Sequence, residues 1–391
     1  MEAAPSERPA RTPDRPVHVL HVFASLDRGG AEVRTLELLR QLDAREVRFS
    51  FLLLSGRPGA MAADAQALGA AIHPLALGRG FARGLRRLIT TERIDVVHAH
   101  THYFSGFILR HAARMGVRGR IAHFRSTSDG QPNGLRRAVQ RRIMRHWIDR
   151  HATTIAAVSR SAMEGAWGPN WLRDPRCRVL YNGLDVRPYQ ATPDRLGVRA
   201  EFGLPSTARI LIHVGSLQPV KNHRHLLNVF EAVARRHDDV RLLIVGRDLG
   251  LGDEIRRQIA SLNLTGRVVM AGERIDVPRL LKASDVFMFP SLREGLPGAV
   301  LEACAAGLPV VGSNIPPLQE VATHFPSVRC ASLDAPIATW VDIVEDVLRQ
   351  DVQPAVPNAA ANAFARSPFD LGRAASAYRD VLNASAVPLQ S

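Results

Sequence analysis

Apolar runs of strand length alternate with helix-length segments along almost the whole chain, and this alternation constrains the fold more than any other sequence feature. Val17–Val22, Arg241–Val245 and Val286–Phe289 are such runs. Because parallel strands are buried on both faces, they contain little polar alternation, so the βαβα order predicts parallel sheets covered by helices on both sides. None of these runs reaches the roughly 20 residues of a membrane-spanning helix.

The predicted elements follow the same order in both halves of the chain. The predicted strands of the first half are Val17–Phe23, Val47–Leu54, Val96–Ala99, Arg120–Phe124, Thr154–Val158 and Arg178–Tyr181, with helices that include Ala31–Gln41 and Phe104–Met115. Those of the second half are Ala208–Val214, Val240–Val245, Arg267–Ala271, Val286–Phe289 and Pro309–Gly312, with helices at Asn222–Arg236, Asp253–Leu262, Val277–Ala283, Pro297–Ala306 and Asp370–Leu382.

The length of 391 residues is sufficient for two α/β domains. The Gly and Pro content of Asn182–Pro205 predicts a linker between them. We therefore expect two Rossmann-like, doubly wound parallel-sheet domains that face a cleft, at residues 17–185 and 186–368. Residues 1–16 are expected to form a disordered leader, and residues 369–391 a helix that returns to the N-terminal domain, followed by a tail.

Charge and cysteine content narrow the classes of partner. The net charge of +14 is compatible with nucleic acid, an anionic membrane surface or an anionic small substrate. No aromatic-rich basic face is present, which argues against a nucleic-acid platform. Nearly all of the positive charge is arginine, and the only lysines are Lys221 and Lys282. The three cysteines, Cys177, Cys304 and Cys330, lack metal-site spacing, which favours a reduced, cytoplasmic chain.

Two glycine-containing loops follow predicted strands and open predicted helices. Paired Gly29 and Gly30 allow the backbone to approach a ligand at a helix amino end, although a plain tight turn has the same pattern. The segment Gly215–His223 places Lys221 where an ammonium group can reach a diphosphate, with Asn222 as a potential N-cap. An exposed lysine at a helix start is the alternative.

The segment Pro290–Glu302 is the most informative in the chain. It follows a predicted strand and opens a helix whose first amides, those of Gly298 and Ala299, can hold phosphate. Glu294 lies in the loop before this helix and Glu302 lies within it. Two carboxylates beside an anion site are unfavourable unless both accept hydrogen bonds from sugar hydroxyls. An exposed glutamate pair is the alternative.

Histidines cluster in the first half. His98, His100 and His102 alternate and are expected to share one face, and His123 ends a strand where ligand-binding groups belong. A metal site is disfavoured because no acidic residue accompanies them. A structural role for His123 remains an alternative.

The segment Leu135–Arg150 reads as a basic amphipathic helix. Its arginines suit an anionic lipid surface, and its apolar residues suit either that surface or the underlying sheet. The alternative to lipid binding is an ordinary sheet-covering helix with a solvated basic face.

Glu294 and Glu302 resemble the paired-glutamate signature of retaining GT-B glycosyltransferases. More narrowly, the chain resembles glycosyltransferase family four (glycosyl transferases group 1) and its capsular and exopolysaccharide branch. The matching segments, in order, are Gly29–Glu32, Asp95–Gly106, Arg120–His123, Asn182–Asp185, Val214–His223 and Val277–Val311. The resemblance implies a GT-B fold and retaining, hexosyltransferase-type transfer from a nucleoside-diphosphate sugar, with UDP as the expected nucleotide.

The resemblance also implies residue roles. It places Lys221 on the diphosphate, Glu302 on the ribose hydroxyls, Glu294 on the transferred sugar and His123 near the reacting sugar. His123, Glu294 and Lys221 are the implied catalytic residues. The implied nucleotide-sugar contacts are Gly29, Gly30, Ser216, Lys221, Glu294, Gly295, Leu296, Gly298, Ala299 and Glu302. No metal or other cofactor is expected, and the implied acceptor is a glycan or a lipid-linked glycan in polysaccharide biosynthesis, at the inner membrane face.

The sequence departs from the family pattern at two positions. Ser216 stands where the family has an arginine of the diphosphate clamp, and Arg125 stands where relatives have a second histidine. Arg293, Arg274 or Arg125 itself could supply the missing cation. Alternatives to a transferase are a nucleotide-sugar epimerase of the same fold, a non-catalytic basic polyanion-binding protein, and a transferase that has lost catalysis.

Overall fold

The structure is a computed structural model that describes residues 15–27, 29–127, 134–350 and 359–386. The chain forms two compact units that divide after Gly183 and again after Asp370. The sequence analysis places these divisions after residues 185 and 368. Most of the predicted leader lies outside the described residues, but Arg15 pairs with Asp95 at 2.6 Å.

The N-terminal unit is built on seven parallel strands. Its elements up to residue 183 are β1 (Val17–Phe23), α1 (Gly30–Gln41), β2 (Val47–Leu53), α2 (Ala62–Ala67), β3 (Ala71–Pro74), α3 (Phe81–Thr91), β4 (Val96–Ala99), α4 (Ser105–Arg114), β5 (Gly119–Phe124), α5 (Leu135–His151), β6 (Thr154–Ala157), α6 (Arg160–Trp167) and β7 (Cys177–Val179). The strand order is β3-β2-β1-β4-β5-β6-β7. The order reverses between β1 and β4, which is where doubly wound sheets bind ligands.

The C-terminal unit contains six parallel strands. Its elements are α7 (Arg195–Glu201), β8 (Arg209–Val214), α8 (His223–Ala234), β9 (Val240–Val245), α9 (Gly252–Ser261), β10 (Val268–Gly272), α10 (Val277–Ala283), β11 (Val286–Phe289), α11 (Gly298–Ala306), β12 (Val310–Ser313), α12 (Pro316–Ala322), β13 (Val328–Ala331), α13 (Ile337–Arg349) and α14 (Ala359–Ala365). The strand order is β10-β9-β8-β11-β12-β13, so this sheet reverses between β8 and β11. The last helix, α15 (Leu371–Ala386), belongs to the N-terminal unit, where it packs against α1 and β5.

Buried, mostly apolar residues make up the central strands, and their burial explains why these strands form. All seven residues of β1 and all four of β11 are buried. Strands β1, β4, β9 and β11 have the bounds that the sequence predicts, and the other predicted strands differ from the observed ones by one or two residues at one or both ends. The helix predicted at Asp370–Leu382 continues to Ala386. Strands β3 and β13 are not predicted because each is short and lies at a sheet edge.

The prediction that Asn182–Pro205 is an unstructured linker is wrong, because part of this segment is helical. Residues Arg187–Gln190 form a 3₁₀ turn and α7 follows it, both within the C-terminal unit. Charged contacts hold α7 in place: the Arg199 guanidinium donates to the Asp285 carboxylate at 3.3 Å and to the Ala283 carbonyl at 3.1 Å. Ion pairs take the place of part of the apolar face that a helix usually packs against its domain. The sequence of this segment is therefore polar enough to resemble a loop.

Candidate active site

The strongest candidate site lies where the C-terminal sheet reverses. Strands β8 and β11 are neighbours there, and the loops after them carry Lys221 and Glu294 respectively. In open α/β sheets, ligands bind beyond the carboxyl ends of strands at this reversal. The topology therefore brings together two motifs that are 73 residues apart in the sequence.

Lys221 and Glu294 form an ion pair. The Lys221 ammonium lies 2.7 Å from Glu294 Oε1, and each side chain is 15% exposed. Glu294 Oε1 also accepts the Ser291 hydroxyl at 2.7 Å. The Leu292 N–H donates to the Val220 carbonyl at 2.8 Å, which fixes the two loops to each other. A cation and a carboxylate are thus held at defined positions, largely shielded from water.

The amino end of α11 lies next to this pair in the sequence. Pro297 precedes the helix with φ −76°, and its carbonyl accepts the N–H groups of Val300 and Leu301. The first amides of an α-helix have no intrahelical partner and favour an anion. Gly298 would meet no atom within 4 Å if it carried a Cβ, so the space beside this residue is open. Glu302 is partly buried one turn further along α11.

The loop after β8 contains two residues singled out from the sequence, Asn222 and Ser216. Asn222 stands before α8 in the left-handed conformation, with φ 55°, and its side chain does not cap the helix. It is therefore not the side-chain N-cap that the sequence suggests. Ser216 accepts a hydrogen bond from the Gln218 amide at 2.9 Å. Gly295 and Leu296 are both buried in the loop before α11.

The arginines considered as replacements at position 216 lie in different parts of the structure. Arg274 donates to Asp276 at 2.7 Å and pairs with Glu201 at 2.8 Å. Arg125 donates to groups of its own N-terminal unit. Arg293 is exposed in the loop beside Glu294. Of the three, Arg293 alone adjoins the candidate site in the C-terminal unit.

The paired glycines of the N-terminal unit open α1. A Cβ at Gly29 would lie 2.4 Å from Glu32 Oε2, because the Glu32 side chain folds back over this glycine. Gly30 would meet nothing within 4 Å. Burial raises the pKa of the Glu32 carboxyl, and the nearby Arg125 opposes this rise. The glycine pair therefore leaves an open backbone surface at one position and accommodates a carboxylate at the other.

The histidine cluster of the N-terminal unit forms where its sheet reverses. His21 on β1 pairs in register with His98 on β4, so both side chains project to one face. The His98 ring stacks on His123 with centroids 5.1 Å apart, and the Tyr378 ring of α15 lies 5.5 Å from His98 and 6.2 Å from His21. Neither His21 nor Tyr378 is among the site residues predicted from the sequence. The available signal for His21 was a histidine within an otherwise largely apolar strand.

The expectation that His98, His100 and His102 share a face is wrong for His102. The rings of His98 and His100 lie 4.1 Å apart. Strand β4 ends at Ala99, and the backbone turns at His102 with φ 51°. The His102 ring therefore packs edge-on against Phe124, at 5.1 Å.

Three of these histidines lie close enough together to be considered as metal ligands. Ring nitrogens of His21, His98 and His100 lie within 4.8 Å of one another. The same nitrogens take part in hydrogen bonds, and the Arg125 guanidinium donates to His100 at 3.2 Å. A guanidinium in this position repels a second cation, so the donor set fits a metal ion poorly.

Helix α5 carries the basic segment and packs on α4 rather than directly on the sheet. A Cβ at Gly106 of α4 would lie 2.1 Å from the Met144 carbonyl oxygen, so the two backbones are in close contact. Leu135, Val139 and Ile143 are 85%, 52% and 43% exposed. These residues are one turn apart and form an exposed apolar stripe among arginines. Within the described residues, no helix combines the length and apolarity needed to span a bilayer.

The two halves of the chain match known families. Residues 194–353 match the family described as Glycosyl transferases group 1, and residues 29–183 match the Glycosyl transferase 4-like domain. The chain is 30% identical over 337 residues to a protein of Bacillus subtilis (strain 168) with the name glycosyltransferase EpsF, and the alignment covers 83% of this chain and 86% of EpsF. It is 28% identical to the capsular polysaccharide biosynthesis glycosyltransferase CapH of Staphylococcus aureus, covering 85% of this chain and 91% of CapH.

Solved structures share the fold. HepE of Anabaena in complex with UDP has a TM-score of 0.79 at 20% identity and covers 94% of this chain and 100% of HepE. WaaG, a glycosyltransferase involved in lipopolysaccharide biosynthesis, has a TM-score of 0.67 at 15% identity and covers 93% of this chain and 99% of WaaG. Two parallel sheets of seven and six strands, together with this likeness, give the chain the GT-B fold. The chain belongs to the group 1 glycosyltransferases, with a 4-like domain in its N-terminal half.

Proposed function

We propose that this glycosyltransferase moves a hexosyl group from a UDP-sugar to a glycan or lipid-linked acceptor in polysaccharide biosynthesis, with retention of anomeric configuration. The observation that carries the proposal is the Lys221–Glu294 pair at the reversal of the C-terminal sheet, next to α11 in the sequence. The UDP complex of HepE and the capsular role in the name of CapH agree with this nucleotide and this pathway class.

The proposed roles follow from charge and position. The Lys221 ammonium and the first amides of α11 neutralise the diphosphate. Glu302 accepts ribose hydroxyls, and Glu294 accepts a hydroxyl of the transferred sugar. No metal ion or other cofactor is required, because a helix amino end and a fixed ammonium stabilise the leaving diphosphate electrostatically.

The proposed transfer step is a front-face displacement. The bond between the anomeric carbon and the phosphate oxygen breaks, and the acceptor oxygen bonds to the same face of that carbon. The leaving phosphate oxygen takes the acceptor proton, so no side chain has to act as a nucleophile. The protein then contributes positioning and preorganised electrostatics.

We also propose that the enzyme binds peripherally to the inner face of the membrane through α5. Its exposed apolar stripe has arginines on both sides, including Arg136 and Arg142, which are exposed as well. Apolar side chains inserted at the lipid boundary, together with basic side chains at anionic headgroups, are typical of interfacial helices. Such attachment would bring the enzyme to a lipid-linked acceptor.

Calorimetric titration of UDP into the unsubstituted protein and two variants, Lys221→Ala and Arg257→Ala, tests the nucleotide site. Lys221→Ala should weaken UDP binding at least about tenfold, because a charge-assisted hydrogen bond contributes about 1.5–3 kcal/mol. Arg257→Ala is the matched control, since it removes one positive charge from an exposed position of the same unit. Equal affinities for UDP in all three proteins would refute the assignment of Lys221.

Product analysis separates the proposal from its alternatives. An epimerase converts a UDP-sugar without any acceptor, whereas the proposed enzyme transfers sugar only when an acceptor is present. A polyanion-binding protein would bind many anions with steep salt dependence and would turn over no UDP-sugar.

A further inference from the structure

A continuous hydrogen-bonded chain runs through the histidine cluster of the N-terminal unit. Its members, in order, are Arg125, His100, His21, Tyr378, His98 and His123. We propose that Arg125, acting through this chain, fixes the proton of His123 on Nε2. His123 then meets the substrate as a hydrogen-bond donor and is not a general base. Arg125 and Tyr378 are positioning residues that act through the other members.

The direction of the chain is set at its first member. A guanidinium group has donors only, so Arg125 Nε must donate to His100 Nδ1, 3.2 Å away. A neutral imidazole carries one proton, so that of His100 is on Nε2. This nitrogen lies 2.9 Å from His21 Nδ1, which therefore accepts. The proton of His21 is consequently on Nε2.

The Tyr378 hydroxyl carries the same donor direction from His21 to His98. His21 Nε2 lies 3.3 Å from the Tyr378 hydroxyl, which accepts from it and donates its own proton to His98 Nδ1 at 3.0 Å. His98 is then protonated on Nε2, which lies 3.0 Å from His123 Nδ1. His123 accepts at Nδ1 and carries its proton on Nε2. Every tautomer in the chain is thus determined by one obligatory donor.

These tautomers exist only if the imidazoles are neutral, and the surroundings favour the neutral form. Burial, reinforced by the Arg125 charge, lowers the pKa of His21 to about 3. Burial also holds the pKa values of His98, His100 and His123 well below their ordinary range. Burial lowers the pKa of Arg125 to about 10, so the guanidinium stays charged at neutral pH.

His123 Nε2, the last atom of the hydrogen-bonded chain, is the one available to bind a substrate. His123 is 4% exposed, and its Nε2 has no hydrogen-bond partner among the described residues. A buried donor without a partner is costly, so this N–H favours an acceptor oxygen. Given the proposed function, the acceptor is a hydroxyl oxygen of the transferred sugar. This role rests on the proposed function, whereas the tautomer of His123 does not.

Arg125 is also held firmly enough to keep this orientation. Its remaining nitrogens donate to the Asn182 side-chain carbonyl at 2.6 Å and to the Thr35 hydroxyl at 3.1 Å. The guanidinium plane is therefore fixed by two further acceptors. Rotation of Nε away from His100 would break both of these bonds.

Long-range ¹H–¹⁵N correlation spectra of the full-length protein with labelled histidines measure the tautomers directly. The expected result is a protonated Nε2 and an unprotonated Nδ1 for His21, His98, His100 and His123. A proton on Nδ1 of any of these rings in the unsubstituted protein would overturn the proposal. This measurement needs no substrate, so it stands even if the proposed transferase activity fails.

Tyr378→Phe tests the transmission. The substitution removes the link between His21 and His98, so His98 and His123 should become mixtures of tautomers while His100 keeps its proton on Nε2. Tyr103→Phe is the matched control, because the Tyr103 hydroxyl donates to the Ala166 carbonyl and is not part of the hydrogen-bonded chain of histidines. Unchanged His98 and His123 tautomers in a folded Tyr378→Phe protein would contradict the chain.

Kinetics then separate a donor from a base. His123→Gln keeps an N–H donor but cannot act as a base, whereas His123→Ala has neither function. A donor role predicts that the Gln variant retains kcat/KM within about tenfold while the Ala variant loses considerably more. A general-base role predicts equal losses of about 10²–10⁴-fold in both variants, and that result would refute donation by His123.

Discussion

The buried histidines of the C-terminal unit should lower the stability of this protein already between about pH 7 and pH 5.5, above the range in which ordinary carboxylates titrate. Burial lowers the pKa of His213 to about 3 and that of His223 to about 4, from an ordinary value of 6.5. The folded state therefore keeps both rings neutral, while the unfolded chain takes up protons as the pH falls below 6.5. Stability is complete above this value and is lost progressively between about pH 6.5 and pH 3.

The size of the effect follows from the two pKa values. Between about pH 7 and pH 5.5, each such histidine should cost about 1.3 kcal/mol of unfolding free energy. His21 of the N-terminal unit, with a pKa of about 3, behaves in the same way. His213 and His223 together should cost the C-terminal unit about 2.6 kcal/mol, a large part of the roughly 5–15 kcal/mol by which domains are usually stable.

His223→Leu isolates one of these contributions. Both ring nitrogens of His223 lack hydrogen-bond partners among the described residues, so leucine sacrifices no such bond within them. Urea denaturation at about pH 7 and pH 5.5 should show a loss of stability that is about 1.3 kcal/mol smaller in the variant than in the original protein.

The comparison of two pH values cancels any change in packing that is independent of pH. His146→Gln is the control, because its ring is exposed and hence remains in water on folding. The same loss in His223→Leu as in the unsubstituted protein would refute the reasoning.

Two further substitutions test packing and charge. Gly106→Ala should lower the free energy of unfolding by about 1–3 kcal/mol in urea denaturation, because its Cβ would lie 2.1 Å from a carbonyl oxygen of α5. In Gly84→Ala the Cβ meets only the end of the flexible Leu75 side chain, so that control should show no comparable loss, and equal losses in both would contradict the close helix contact. Glu294→Gln should tighten UDP binding about fivefold in calorimetry while lowering transfer at least about 10²-fold, since it frees the Lys221 ammonium of its 2.7 Å partner but removes the acceptor charge. Weaker UDP binding by this variant would show that the carboxylate does not compete with the diphosphate.

The central strands could be predicted from sequence because burial alone determines their composition. Strands β1 and β11 are fully buried, so apolar residues make up all of β11 and, apart from His18 and His21, all of β1. The segment of α7 is different, since Arg199 and the ion pairs of Arg279 with Asp194 and Glu201 hold it in place. Their contribution depends on partners elsewhere in the chain and therefore leaves no periodic pattern in the sequence.

The candidate sites were predictable to different degrees for the same reason. Lys221 and Glu294 lie in separate motifs, each recognisable after its own strand, and the adjacency of β8 and β11 then brings them together. The link between His21 and Tyr378 joins residues that are 357 positions apart. Neither residue belongs to a local motif, so only the packing of α15 on the N-terminal sheet reveals that link.

The choice of lysine in a chain that otherwise uses arginine also has a structural reason. Both lysines direct one compact ammonium group at one acceptor: Lys282 donates to the Tyr189 carbonyl at 2.7 Å, and Lys221 donates to Glu294 at the same distance. The Lys221 stem passes so close to Gly215 that a Cβ there would lie 3.3 Å from its Cδ and Cε. A planar guanidinium with five donors would need more space and more acceptors than this passage supplies. The missing Cβ of Gly215 therefore leaves space beside the path that the Lys221 side chain follows to Glu294.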